Sequence, residues 1–352
     1  MVRLDEIEKF GSIDRSGMLE SVCSIPKMLA EASELRPSGE VLLPDRTGQV
    51  VVSGIGGSAM GGDICRVLLE QSLDIPFMVN RSYSLPASVA EDSLVFIVSY
   101  SGETEETLNC FKEAVQRKAK VVCIASSGAL LSLAAEKNIP FIKVRPGLQP
   151  RAAIAYLTLP ILFVLEQLKL TNGFMSQVDE TVSVLQSMDA KIGPPVKIFS
   201  NPAKQLAEKL YKKFPIILAG HELASAAGLR FKNQLNENSK TVAHLSLFTE
   251  LDHNEIVGFS SLAKGKHPFA LILLRDEKEN ERVKKRIDVT KSLISRHFDG
   301  ALEVWSQGVA PLARLFSLIY ITDMVSVYLA ILKDIDPTPI DVIQKLKREL
   351  KR

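Results

Sequence analysis

Short apolar runs alternate along this chain with longer stretches in which apolar side chains recur every three or four positions. The runs place strands at 49–53, 76–79, 94–98, 120–125 and 141–143, and the helical spacing places helices at 58–71, 104–117 and 129–136. Ahead of them, Met18, Leu19, Val22, Ile25, Met28 and Leu29 line one side of a helix spanning 15–36. Strands that are apolar throughout, joined by helices of 10–15 residues, belong to a parallel sheet covered on both faces. Residues 152–212 read as helical with a break at Gly193-Pro194-Pro195. The strand–turn–helix pattern then restarts. Strands fall at 214–220, 269–274 and 302–305, and helices at 224–236, 283–297 and 311–332. The halves share this pattern but little sequence. The expected fold is therefore α/β, with two doubly wound domains, each a mainly parallel sheet flanked by helices. Its expected divisions are a helical segment at 1–45, a first domain at 46–150, a helical connection at 151–212, and a second domain with C-terminal helices at 213–352.

Two of these strands run into loops rich in glycine and hydroxyls. Val50-Val51-Val52-Ser53 leads into Gly54-Ile55-Gly56-Gly57-Ser58-Ala59-Met60-Gly61-Gly62, and Leu94-Val95-Phe96-Ile97-Val98 into Ser99-Tyr100-Ser101-Gly102-Glu103-Thr104. Glycines let backbone approach an anion, N–H groups at a helix start point at it, and hydroxyls add donors. Two such loops point to one phosphate held between them. Ligands of parallel sheets bind beyond the carboxyl ends of the strands, where both loops lie. Neither loop contains Lys, which argues against the nucleotide P-loop with its Gly-Lys-Ser/Thr ending.

Composition narrows the partners. A chain of 352 residues with 46% hydrophobic content has core enough for two domains. Its 43 basic and 41 acidic residues leave a net charge of +2, which removes the electrostatic reason to expect nucleic acid or an anionic membrane. The basic run at 282–286 follows acidic residues and reads as a solvated helix face. Cys23, Cys65, Cys110 and Cys123 form no Cys-x-x-Cys pair and have no histidines at ligand spacing, so reduced cytoplasmic thiols and no metal are expected. The first residues lack the apolar core of a signal peptide. The only long apolar stretch noted, Ala152 to Leu165, is interrupted by Pro160 and closed by Glu166. It is short of the roughly 18–20 residues of a membrane span, so it reads as a buried helix.

Groups able to move protons lie in the second half. Asn236-Glu237-Asn238-Ser239-Lys240 ends a helix with a carboxylate among amides, and Glu250-Leu251-Asp252-His253-Asn254-Glu255 is a second polar cluster. A carboxylate at the negative end of a helix dipole holds a proton more readily, as a general base needs. On chemistry alone both segments also read as exposed polar loops. Arg151 equally reads as a partner for a loop carbonyl, His253 as a surface histidine and Lys347 as part of a solvated helix end. Helical spacing marks Ile343, Leu346 and Leu350 as the buried face of the last helix, which turns Lys347 nearer the core than Lys345. His221 follows the strand at 214–220 in a loop that can face ligand, whereas His244, His267 and His297 read as structural or exposed.

The chain resembles the bifunctional phosphoglucose/phosphomannose isomerase family, whose subunits carry two sugar-isomerase (SIS) domains. The likeness rests on Gly-Ile-Gly-Gly-Ser at 54–58, Ser-Tyr-Ser-Gly-Glu-Thr at 99–104 and Pro-Arg-Ala-Ala at 150–153. It continues through Asn-Glu-Asn-Ser-Lys at 236–240, Leu-Asp-His-Asn-Glu at 251–255, Asp-Pro at 336–337 and the segment from Ile343 to Leu350. The resemblance implies isomerisation of glucose 6-phosphate, and of mannose 6-phosphate, with fructose 6-phosphate through a cis-enediol(ate), without cofactor. By matching, Glu237 is the base, Arg151 stabilises the enediolate, and His253 and Lys347 open the sugar ring. Gly57, Ser58, Ser99, Ser101 and Thr104 match the substrate and phosphate contacts. The family's dual specificity is attributed to a small hydroxyl near the C-terminal segment, where Thr338 stands. The resemblance further implies a cytoplasmic homodimer with sites where domains and subunits meet, and the apolar surplus of helix 311–332 suits an interface. Two other readings are a phosphosugar-sensing regulator and another SIS phosphosugar enzyme. A regulator normally adds a DNA-binding module, and no helix-turn-helix with a basic recognition face stands at either end.

Overall fold

A computed structural model describes residues 4–44, 46–263 and 268–350. In chain order its elements are α1 (Phe10–Ile13), α2 (Met18–Cys23), α3 (Ile25–Ser33), β1 (Gln49–Ser53), α4 (Gly57–Leu69), β2 (Phe77–Asn80), β3 (Ser93–Val98), α5 (Glu105–Gln116), β4 (Lys120–Ala125), α6 (Ala129–Glu136), β5 (Phe141–Lys143), α7 (Ile154–Gln167), α8 (Val178–Ile192), α9 (Pro202–Leu210), β6 (Phe214–Gly220), α10 (Leu223–Glu237), β7 (His244–Phe248), α11 (Glu255–Ser260), β8 (Phe269–Arg275), α12 (Glu281–Ile294), β9 (Ala301–Trp305), α13 (Pro311–Leu332) and α14 (Asp341–Leu350). They form two compact units, one from Ser24–Ser183 with Gly308–Ala313, the other from the residues up to Cys23, Val184–Gln307 and Arg314 onward.

The first unit holds a parallel sheet in the order β2-β1-β3-β4-β5. Every residue of β1 and β3 is buried, as a central strand covered on both faces requires. On one face Val51, Val95 and Ile97 pack with Cys110, Phe111 and Ala114 of α5 and Leu130 of α6. Val52 turns to the other face, where Gly62 of α4 lies against it. There α4 meets α7 closely: a Cβ on Gly61 would lie 2.1 Å from the Leu157 carbonyl oxygen. The chain reverses its winding between β1 and β3, so their loops open onto a crevice.

A second parallel sheet, β7-β6-β8-β9, repeats that order and its reversal, between β6 and β8. Ile216, Leu218, Leu271 and Leu273 pack on Ile287 and Ile294 of α12 and on Phe248, Phe259 and Phe298. Buried charges and phenols in this unit find partners across the helices. Arg230 of α10 forks onto Asp323 of α13 (Nη2–Oδ2 2.5 Å), and Tyr320 donates to Asp189 at 2.6 Å. The N-terminal residues belong to this unit. Asp5 accepts from the Ile198 N–H at 2.8 Å, Phe10 lies against Tyr328 with ring centroids 6.5 Å apart, and the Cys23 thiol reaches Met324 sulfur at 4.0 Å.

The strands and helices expected in the first unit lie where the pattern puts them, to within two residues. Four expectations are corrected. The helix across 15–36 is broken at Ser24 into α2 and α3, with Pro26 in the first turn of α3, where its missing N–H costs nothing. The helical stretch 152–212 has a further gap after α7, which ends at a left-handed Lys169 (φ 57°). β7 was not expected. Finally, α13 is long and apolar enough to cross a membrane, so Ala152–Leu165 is not the only long apolar stretch. Its most apolar window is fully buried, so α13 is a core helix, and the surplus assigned to a subunit interface is consumed inside the chain.

Candidate active site

In the first unit the loops after β1, β3 and β4 and the turn at 145–151 form one hydrogen-bonded set. Gly56 has φ 58° and ψ −125°, a conformation L side chains rarely adopt. A Cβ on Gly57 would lie 2.8 Å from Pro150 O and 3.0 Å from Arg151 N, so the start of α4 rests on the turn that carries Arg151. Arg151 itself is only 3% exposed. Ser58 Oγ accepts from the Tyr100 N–H at 3.1 Å, joining the first loop to the second. Ser99 Oγ donates to Thr104 Oγ1 at 3.0 Å, and Ser101 Oγ accepts from Glu103 N at 3.3 Å. Gly102 (φ 70°) presses on the third loop, where Ser126 Oγ donates to Tyr100 O at 2.7 Å. Tyr100 OH then accepts from Leu148 N at 2.9 Å. Thus Gly57, Ser58, Ser99, Ser101, Thr104 and Arg151 share one end of one sheet.

That end gathers hydrogen-bond donors. α4 begins at Gly56, which has no side chain to cap it, and Thr104, at the N-cap of α5, makes no side-chain cap. Two helix starts therefore present backbone N–H groups beside buried hydroxyls at the winding reversal. α6 differs, because the Glu103 carboxylate accepts from Ala129 N at 2.7 Å.

In the second unit Glu237 is the last residue of α10. α10 leaves the carboxyl end of β6 and runs back about 22 Å to the edge where β7 begins. The chain there is tightly held. Asn238, fully buried, donates from Nδ2 to Ser326 Oγ at 2.9 Å. Lys333 Nζ donates to Ser239 O at 2.7 Å, Thr241 Oγ1 at 2.9 Å and Lys240 O at 3.3 Å, and burial lowers its pKa. Lys240 Nζ donates to Glu237 O at 2.5 Å and Pro337 O at 3.0 Å. Asp323, at the root of this arrangement, has its pKa raised by burial, which Arg230 opposes.

His253 lies at the opposite edge, exposed at the end of the turn Glu250–His253 that follows β7. Its neighbour Asp252 is anchored to α12 by Thr290 Oγ1 at 2.7 Å and Arg286 Nη1 at 3.3 Å. Beyond it Asn254 caps α11, and Glu255 bonds Ser246 and His244 Nε2, the latter at 2.6 Å. Within one chain, then, Glu237 and His253 are held at opposite edges of the sheet and are not brought together. Lys347 sits on α14, all of whose residues are exposed. Ile343, Leu346 and Leu350 are 41%, 58% and 63% exposed, which corrects the expectation of a buried face. His221 is exposed after β6, His297 Nδ1 bonds Leu262 O at 2.8 Å, and His267 lies outside the described residues. Ser126 and Thr290 were not singled out in the sequence, and Tyr100 and Lys240 stood in quoted motifs without a role. Most of their partners lie tens of residues away, so no local spacing marks them.

Comparison with known proteins agrees with this division. Residues 45–168 match the SIS domain family, and residues 199–350 match the family described as bacterial phospho-glucose isomerase C-terminal SIS domain. A bifunctional phosphoglucose/phosphomannose isomerase of Caldicellulosiruptor bescii is 40% identical over 334 residues, 95% of this chain and 98% of that protein. One from Aquifex aeolicus is 34% identical over 304 residues, covering 86% and 90% of the two chains. The crystal structure of a glucose-6-phosphate isomerase like protein from Thermus thermophilus superposes with a TM-score of 0.64 over 99% of each chain at 18% identity, a likeness of fold.

Proposed function

The chain belongs to the bifunctional phosphoglucose/phosphomannose isomerase family, and from that premise we propose that it interconverts glucose 6-phosphate and mannose 6-phosphate with fructose 6-phosphate, with Glu237 as the base. The observation that carries the phosphate half of this reading is the pair of helix starts without side-chain caps, joined by Ser58 and Tyr100. A phosphate dianion satisfies such N–H groups and the hydroxyls of Ser58, Ser99, Ser101 and Thr104 together. His253 and Lys347 handle the ring-oxygen and C1-hydroxyl protons as the sugar opens. Glu237 takes the C2 proton and returns it at C1, and the Arg151 guanidinium stabilises the charge that develops on the enediolate oxygens. Rotation of the planar enediol about C2–C3 lets one base serve both C2 epimers.

The working form is a homodimer in which His253 of one copy serves Glu237 of the other. Their separation across one sheet supports this, as does the exposed apolar stripe of α14.

The test is a coupled assay on fructose 6-phosphate with both aldose products measured separately. Wild type forms both, and Glu237→Gln loses at least about a thousandfold in kcat. Formation of glucose 6-phosphate alone would remove the dual specificity, and an active Glu237→Gln would remove the base. Inactive Glu237→Gln and His253→Ala chains, refolded together, regain up to about a quarter of wild-type turnover if the pair acts across copies. They regain none if it acts within one.

A further inference from the structure

We infer that Lys240 is a positioning residue for the base: its ammonium straps the end of α10 that carries Glu237 to the segment around Pro337, so that the two are held as one body. The inference rests on the reading of Glu237 as base. Lys240 Nζ donates to Glu237 O at 2.5 Å and to Pro337 O at 3.0 Å, bridging 97 positions of sequence. The second carbonyl opens the short stretch that carries Thr338 and leads into α14 with Lys347.

The bonds around this position show what the side chain adds. Lys240 has φ 50°, in the left-handed region, where a chain leaving a helix normally uses Gly or Asn. Lysines take the same conformation after α5, α7 and α9, so the turn alone does not call for the bond to Pro337. Nor is a cation required there to satisfy the neighbouring carbonyls, because Lys333 already donates to Ser239 O and Lys240 O. What Lys240 adds is the link to Pro337. The Arg230–Asp323 fork anchors α10 before Glu237 and the Asn238–Ser326 bond anchors the chain just after it, and the strap adds a bond to the Glu237 carbonyl itself and ties it to Pro337.

The test compares Lys240→Gly, which relaxes the backbone and removes the ammonium, with Lys240→Arg, which keeps a cation. Lys240→Gly is expected to lose about ten- to a hundredfold in kcat with KM changed by less than about threefold, the mark of a displaced catalytic group. Its Tm should stay within about 2 °C of wild type, because the strain relieved offsets the bonds lost. Backbone amides of 334–340 should exchange with deuterium faster, and Lys240→Arg should recover most of kcat. A Lys240→Gly enzyme with kcat within twofold of wild type, or with unchanged exchange at 334–340, overturns the strap. So does a kcat loss that Lys240→Arg reproduces in full. Glu237→Gln is assayed beside them. If it keeps its turnover, the base and this role fall together. If it is inactive while Lys240→Gly is fully active, the strap alone falls.

Discussion

Gly61 and Gly57 set how closely backbone can approach backbone around the phosphate loops. At Gly61 a methyl would sit 2.1 Å from Leu157 O, so α4 would have to move off α7 and carry Gly57 and Ser58 with it. Gly61→Ala is therefore expected to cost about 3 kcal/mol. It should also raise KM for fructose 6-phosphate, read from a urea midpoint and a saturation curve. A stable variant with unchanged KM would show that the helices slide apart without disturbing the loop. At this scale the donors were legible and their geometry was not. Ser58, Ser99, Ser101 and Thr104 stand out because hydroxyls and glycines cluster after an apolar run. That Ser58 bonds Tyr100 depends on two strands being neighbours, which residue spacing does not state. The stripe Ile343, Leu346 and Leu350 was read correctly as one face of a helix. Periodicity shows that such a face exists and leaves open what covers it.

The unit that presents His253 is an assembly of β7, the turn after it and α12. Asp252 is the pin: both its carboxylate oxygens are engaged from α12, and the histidine is the next residue along. Thr290→Val removes one of those bonds at nearly constant volume. It is expected to lower kcat about three- to tenfold, with Thr290→Ser close to wild type, as measured in the fructose 6-phosphate assay. Equal activity of both variants would show that Arg286 alone suffices. Central strands were legible because burial on two faces leaves an uninterrupted apolar run, as in β1 and β3. β7 was not, since it is an edge strand whose His244 and Ser246 turn toward Glu255, and alternation over five residues looks like a loop. The break between α2 and α3 was hidden by apolar spacing that runs on through Pro26.

Across the whole molecule, buried thiols and phenols make alkaline pH the weak side. Burial raises the pKa of Cys65, Cys123, Tyr320 and Tyr328, and that of Cys23 to about 12. The unfolded chain releases these protons from about pH 9 upward while the folded chain keeps them, so their contribution is complete below pH 9 and is lost as pH rises toward 12. Lys204 and Lys333 shift the other way through burial but are outnumbered. Stability is expected to fall by several kcal/mol, at up to about 1.4 kcal/mol per group per pH unit, between pH 9 and 11. Urea midpoints at pH 8, 9.5 and 11 measure this, and a flat profile would contradict it. The division of the chain has a different consequence, in the order of synthesis. Residues up to Cys23 leave the ribosome well before their partners, yet Asp5 finds Ile198, Phe10 finds Tyr328 and Cys23 finds Met324. All of Ser24–Ser183 is made in between, so most of one sheet's unit is complete before those partners exist. A nascent chain released near residue 183 would therefore hold Asp5, Phe10 and Cys23 without these partners, whereas the strands β1 to β5 would already be paired.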